Sequence, residues 1–251
     1  MLETLPTEQA VHLAKLQSKL DALQAEMQEF TYTVSHDLRA PLRHIVSYAQ
    51  LVREDAGPQL TEEVQGFLNT ICDSAHTMGV MLDRLLELSR VGTAVLQVDA
   101  VPLQALVQEV VDGVQAAHPE RSIVWNLAAD LPPVWADAAL LEQAVRQVIA
   151  NAVQFTVART PAVIAISAVT DASNGTVTLV VQDNGIGFNP ALVEQLFHPF
   201  KRLHNARQGA GLGTGLALTR KVMERLSGTA VAQGVVDGGC TVLLTLPKSA
   251  H

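Results

Sequence analysis

The sequence predicts a multi-domain chain of α and α+β class. An N-terminal coiled coil and helical hairpin form a dimeric four-helix bundle, and an α/β sandwich with a mixed sheet follows. Three observations predict it. Apolar residues repeat at heptad spacing between Leu13 and Val34. Two long amphipathic stretches flank the turn-forming run Asp55-Ala56-Gly57-Pro58. Beyond about residue 95, helical patterns alternate with short β-rich runs.

The first element is a helical seam. Leu13, Leu16, Leu20, Leu23, Met27, Phe30 and Val34 are spaced 3, 4, 3, 4, 3, 4. An unbroken a/d stripe that does not widen to neighbouring positions predicts a coiled coil between parallel partners, assigned to residues 1–30. Leu38, Pro41, Ile45, Tyr48 and Val52 continue the stripe with a small shift. Such a shift is expected where a two-stranded coil opens into a bundle. Gly57-Pro58 predicts a turn. A second helix is expected from about Thr61 to Arg90, with Val64, Phe67, Leu68, Ile71, Met78, Met81, Leu82, Leu85 and Leu88 on its apolar face. Val91-Gly92-Thr93 breaks it. Residues 31–92 are thus a helical hairpin.

The second part, assigned to 95–248, reads as α+β. Helices are expected at about 102–116, 137–158 and 214–226. Strands are expected at Ile123–Leu127, Val163–Val169, Val177–Gln182, Val231–Val236 and Thr241–Leu246. The pair 163–169 and 177–182, joined through Asp171–Gly175, predicts an antiparallel hairpin, and Gly238-Gly239 joins the last two strands.

Composition narrows the function classes. Apolar residues make up 48% of the 251, enough for a buried core. The net charge of −8 argues against a nucleic-acid partner, which calls for a basic face. The two cysteines, Cys72 and Cys240, are distant and read as packed, reduced thiols rather than a disulfide framework or zinc site. No apolar run reaches the roughly 18–20 residues needed to span a bilayer. The N-terminal MLETLPTEQAV lacks the basic and apolar regions of a signal peptide. A cytoplasmic location is expected, with any sensor lying upstream of these residues.

Four short motifs carry chemistry. In Ser35-His36-Asp37-Leu38-Arg39-Ala40-Pro41-Leu42, His36 falls at a c position and points away from the seam. A carboxylate beside it can hold the imidazole in one tautomer and accept its proton. Pro41 permits a bend just after it. His12, His44 and His76 read as ordinary surface residues. Asn151-Ala152-Val153-Gln154-Phe155-Thr156 lies late on a helix. Asp183-Asn184-Gly185-Ile186-Gly187-Phe188 leaves a strand. Its glycines let backbone approach a flat ligand, and a fixed carboxylate can accept a hydrogen bond from an exocyclic amine such as that of adenine. In Gly209-Ala210-Gly211-Leu212-Gly213-Thr214-Gly215-Leu216 a glycine-rich loop enters a helix, so its N–H groups can cradle phosphates. It is neither a Walker A loop nor a Rossmann fingerprint.

Taken in order and spacing, and with Phe197-His198-Pro199-Phe200 between the last two, these motifs resemble the H, N, G1, F and G2 boxes of sensor histidine kinases. The likeness covers about residues 20–247 and extends to kinases attached to PAS or phytochrome sensors. It implies a homodimeric bundle followed by an ATP-binding domain of the histidine kinase, Hsp90, gyrase and MutL type. It also implies autophosphorylation of His36 with Asp37 assisting, then transfer to an aspartate of a response regulator. The implied nucleotide contacts are Asn151, Phe155, Asp183, Gly185, Gly187, Lys201, Arg202, Gly211, Gly213, Thr214, Gly215 and Leu216. Asn151 is the implied magnesium ligand, and the polar stretch 201–208, with Arg207, is expected to be a mobile lid. Two positions depart from the family. Gln147 and Gln154 stand where asparagine and lysine are usual, which leaves open a non-catalytic pseudokinase scaffold. A third reading, an Hsp90-like ATPase clamp, calls for a glutamate where Gln147 stands. Four residues after the histidine, where the family's phosphatases carry Thr or Asn, the chain has Ala40.

Overall fold

The computed structural model describes residues 7–203 and 211–249. The chain forms two compact units that divide between Thr93 and Ala94.

The first unit is a helical hairpin. Helix α1 runs continuously over Thr7–Ala56, through Pro41. It stops where Gly57 and Pro58 enter a 3-10 turn, and the Leu60 N–H donates back to the Ala56 carbonyl at 3.1 Å. Thr61 then caps α2, Glu62–Thr93: its hydroxyl accepts from the Val64 N–H at 3.3 Å, and Glu62 and Glu63 lie in the dipole-favoured first turn. The sequence places the end of this helix at Arg90, but it continues through Val91-Gly92-Thr93. Val91 is buried, and that burial outweighs the weak helix propensity of the triplet.

The two helices meet through Thr31, Ser35, Leu42 and Ala49 of α1 and Leu68, Ala75, Leu86 and Val91 of α2, all buried. Ion-paired Arg39 and Asp83 (2.6 Å) and the Arg53–Asn69 hydrogen bond (2.7 Å) tie their polar rims together. The apolar face expected for α2 therefore divides. Leu68 packs within the hairpin, whereas Phe67, Ile71, Met78 and Leu85 remain exposed, alongside Leu38, Ile45, Tyr48 and Val52 of α1. A single apolar stripe in the sequence cannot tell the residues that close the hairpin from those left exposed. Leu13, Leu16, Leu20, Leu23, Met27 and Phe30 are exposed as well.

The second unit is a helix-faced mixed sheet. Its elements are β1 (Val98–Val101), α3 (Leu103–Ala117), β2 (Ile123–Leu127), β3 (Val134–Asp137), α4 (Ala138–Phe155), β4 (Ala162–Asp171), β5 (Thr176–Asp183), a 3-10 segment (Pro190–Phe197), α5 (Gly215–Arg225), β6 (Thr229–Val235) and β7 (Gly239–Pro247). The five-stranded sheet has the order β2-β4-β5-β7-β6. β2 and β4 pair in parallel and the other pairs are antiparallel. Alternate residues of β4, Ala162, Ile164 and Ile166, are buried with Leu179, Leu244 and Leu246 against Val107 and Val110 of α3 and Leu141, Val145 and Ile149 of α4. β1 and β3 form a separate two-stranded antiparallel ladder. Sequence patterning misses it because each strand has four residues, too few to show an alternation.

Candidate functional site

His36 and Asp37 sit together on the exposed surface of α1, with side chains 68% and 71% accessible. His36 Nδ1 lies 3.1 Å from Asp37 Oδ1. An ionised carboxylate only accepts, so the proton of a neutral imidazole belongs on Nδ1 and the Nε2 lone pair is free. Tyr32, one turn earlier, stacks on the imidazole with ring centroids 6.4 Å apart. His36 also borders a groove of about 610 Å³ between α1 and α2, with Arg39 and Arg43 on one wall and His76 and Asp83 on the other. His76, read from sequence as an unremarkable surface residue, thus shares a groove with His36.

The second centre is in the α+β unit. Asp137 starts α4 by accepting the N–H groups of Ala139 and Leu140, each at 3.1 Å. Thr156 and Arg121 hold its far end, the hydroxyl bonding the Ala152 carbonyl at 2.8 Å and the guanidinium the Val153 carbonyl. Between these ends Gln147, Asn151 and Gln154 occupy one face, at i, i+4 and i+7. That face abuts the glycine-rich loop and the start of α5. A Cβ on Gly215 would lie 2.9 Å from Gln147 Oε1 and 3.6 Å from the Asn151 amide nitrogen, and one on Gly211 would lie 3.8 Å from Gln154 Oε1. Three neutral amides therefore face the loop and helix N-terminus expected to cradle phosphates.

Asp183 ends β5 and is 9% exposed. Its Oδ1 accepts the N–H of Gly185 at 2.8 Å and of Cys240 at 3.2 Å. Burial raises its pKa, with the two backbone bonds opposing. Burial and the Asp183 charge push the neighbouring Cys240 thiol up to about 12, which keeps it protonated.

The G1 glycines have a use the sequence reading did not assign. Gly187 adopts φ 58°, and a Cβ there would fall 1.8 Å from the Val235 carbonyl. The glycine lets the turn pack closely on the protein's own β6–β7 turn. Gly185 is likewise pressed against the Phe155 carbonyl, which accepts from the Ile186 N–H at 3.2 Å. Phe155 therefore joins the site through its backbone. Arg159, unmarked in the sequence, clamps the arrangement by donating to the carbonyls of Gly185 (3.1 Å) and Asp237 (2.9 Å).

The F-box-like segment is attached to the loop from the other side. The Phe200 N–H donates to the Gly213 carbonyl at 3.0 Å. Phe197 is buried, and Arg220 of α5 lies 4.3 Å above its ring while pairing with Glu194 at 3.4 Å. Thr214 is buried at the start of α5, and Leu216 is half-buried in its first turn. The Lys201 carbonyl crowds Gly213, while the side chains of Lys201 and Arg202 are exposed. Arg207, Gly209, Ala210 and most of the expected lid lie outside the described residues. Among the described residues no three His, Cys, Asp or Glu side chains converge as a metal cluster. Asn151, beside the helix N-terminus, is an oxygen donor that suits a hard cation such as magnesium.

Comparison with known proteins agrees with this division. The His Kinase A (phospho-acceptor) domain model matches residues 26–94. The histidine kinase-, DNA gyrase B- and HSP90-like ATPase model matches residues 136–250. Phytochrome-like protein Cph1 of Synechocystis sp. is 28% identical over 239 residues, covering 95% of this chain and 31% of that protein. Cyanobacterial phytochrome B of Nostoc sp. is 30% identical, covering 95% of this chain and 32% of that protein. The chain thus spans about a third of the length of these relatives. In fold it is similar to full-length ShkA, solved in complex with AMPPNP (TM-score 0.60, 24% identity, 87% of this chain and 45% of that one). It is also similar to the Acinetobacter baumannii histidine kinase AdeS (TM-score 0.59, 20% identity, 86% of this chain and 98% of that one). A phospho-acceptor hairpin bearing an exposed His36, followed by an ATPase-type sandwich, makes this chain a member of the histidine kinase family.

Proposed function

We propose that the chain is the transmitter of a homodimeric sensor kinase that phosphorylates His36 from ATP and passes the phosphoryl group to an aspartate of a response regulator. The observation that carries this reading is the exposed His36 whose Nδ1 is engaged by Asp37. Nε2 donates its lone pair to the γ-phosphorus, the bond from that phosphorus to the β–γ bridging oxygen breaks, and ADP leaves. Asp37 takes up positive charge from the ring by accepting the Nδ1 proton. Asp183 would recognise the adenine amine, since both backbone bonds fall on Oδ1. The N-terminus of α5 and the loop before it would receive the phosphates, and Asn151 would hold magnesium, which supplies charge neutralisation at the transferring phosphoryl group. Residues 1–30 serve as signalling coil, 31–92 as dimerisation and phosphoacceptor domain, and 95–248 as catalytic domain. The exposed apolar stripe on both hairpin helices supports dimerisation.

Gln154 favours a second reading, a pseudokinase, because a neutral amide faces Gly211 where the family places lysine. Incubation with γ-labelled ATP and magnesium separates the two. Label that is stable to base, labile to acid and absent from His36→Gln is expected. Label retained in His36→Gln, or none in the wild type, overturns the proposal.

A further inference from the structure

We propose that the groove beside His36 is a phosphoryl-holding site in which Arg39, Arg43 and His76 donate to the oxygens of phosphorylated His36. His36, Arg39, Ala40 and Arg43 share one side of α1, while the exposed apolar residues Leu38, Ile45 and Val52 lie on the other. The groove is therefore separate from the apolar stripe. Ala40, Ala75 and Gly79 line it together with Leu42, Val46 and Val80, and the three small residues leave room for a tetrahedral group. Its polar lining is His36, Arg39, Arg43, Ser47, His76 and Asp83, so two guanidinium groups face a single carboxylate on a chain whose net charge is −8.

The donors are set up differently. Asp83 pairs with one terminal nitrogen of Arg39 at 2.6 Å and so holds the guanidinium across the groove, with its other N–H groups still able to donate. Among the described residues neither Arg43 nor His76 has a hydrogen-bond or ion-pair partner. Two unpaired donors and one pre-positioned guanidinium beside a nucleophilic imidazole match a phosphoryl dianion. Contacts of this kind stabilise phosphohistidine between its formation and its transfer.

The proposal rests on His36 being phosphorylated, and chemical labelling separates the two claims. Potassium phosphoramidate transfers its phosphoryl group to an imidazole nitrogen: a new N–P bond forms, the reagent's P–N bond breaks, and ammonia leaves. No ATP is needed. The half-life of the phosphohistidine at neutral pH is then followed in wild type, Arg43→Gln, Arg43→Lys, His76→Gln and Arg43→Gln/His76→Gln, with far-UV circular dichroism confirming the fold. These side chains are exposed, so each neutral substitution should shorten the half-life by about two- to fivefold. Arg43→Lys, which keeps the charge, should retain most of it. Affinity for Mg-ATP, which belongs to the other unit, should not change. Equal half-lives in wild type and a folded double variant overturn the proposal. A wild type that takes label from phosphoramidate but not from ATP refutes the kinase reading and leaves this one standing.

Discussion

Asp37 Oδ1 lies 3.1 Å from His36 Nδ1, and that contact determines which imidazole nitrogen can act as the nucleophile. Asp37→Asn keeps an acceptor but loses the charge that stabilises the ring as it becomes cationic. Positioned acid–base groups contribute about 10²- to 10⁴-fold. The autophosphorylation rate should therefore fall by at least about tenfold, with Mg-ATP affinity unchanged. A rate within twofold of wild type would show the pair to be incidental.

In the proposed function Asp183 recognises adenine, and its burial ties that role to stability. A carboxyl whose folded pKa is raised binds its proton more tightly when folded, so its ionisation opposes folding as pH rises. Asp183→Asn keeps an oxygen acceptor for Gly185 and Cys240 but removes the buried charge. Its melting temperature without nucleotide should equal or exceed that of wild type at pH 7, with the gap closing below about pH 4. Nucleotide affinity should fall about ten- to a hundredfold, the weight of a hydrogen bond to a charged group. A melting difference that does not vary with pH would argue against the buried-charge explanation.

The Gln154 amide faces Gly211 at the glycine-rich loop, within reach of a phosphate chain laid there. Replacing a neutral donor by a cation should gain on the order of 1 kcal/mol. Gln154→Lys should tighten Mg-ATP binding severalfold by calorimetry, and Asn151→Ala should nearly abolish labelling. No binding by the wild type, and no rescue by Gln154→Lys, would establish the pseudokinase.

Ala40 lines the groove beside His36 and offers no hydrogen-bonding side chain to orient a water. Weak dephosphorylation of the cognate regulator is expected, and Ala40→Thr should raise it. Efficient dephosphorylation by the wild type would refute this.

Leu20 and Leu23 are 49% and 63% exposed on α1 within an uninterrupted heptad. Glutamate at either position would bury a charge in the seam of a dimer. Sedimentation at micromolar concentration should give a wild-type dimer, weakened in Leu20→Glu and Leu23→Glu. A wild-type monomer would remove the basis for the coil.

What the sequence determined by itself is what local spacing encodes. The heptads of α1, the Gly57-Pro58 turn, the alternation in β4 and β5, and the His36–Asp37 pair each depend on residues within a few positions of one another. A period or a neighbour is enough to reveal them. Tertiary structure decided whatever joins distant segments. Arg39 meets Asp83 across 44 residues and Arg159 meets the Asp237 carbonyl across 78, with no local pattern to announce either. It also decided which apolar residues of α2 close the hairpin, and that Gly187 makes room for the Val235 carbonyl. A sequence states what each residue can do, but steric fit and pairing partners exist only once the chain has folded back on itself.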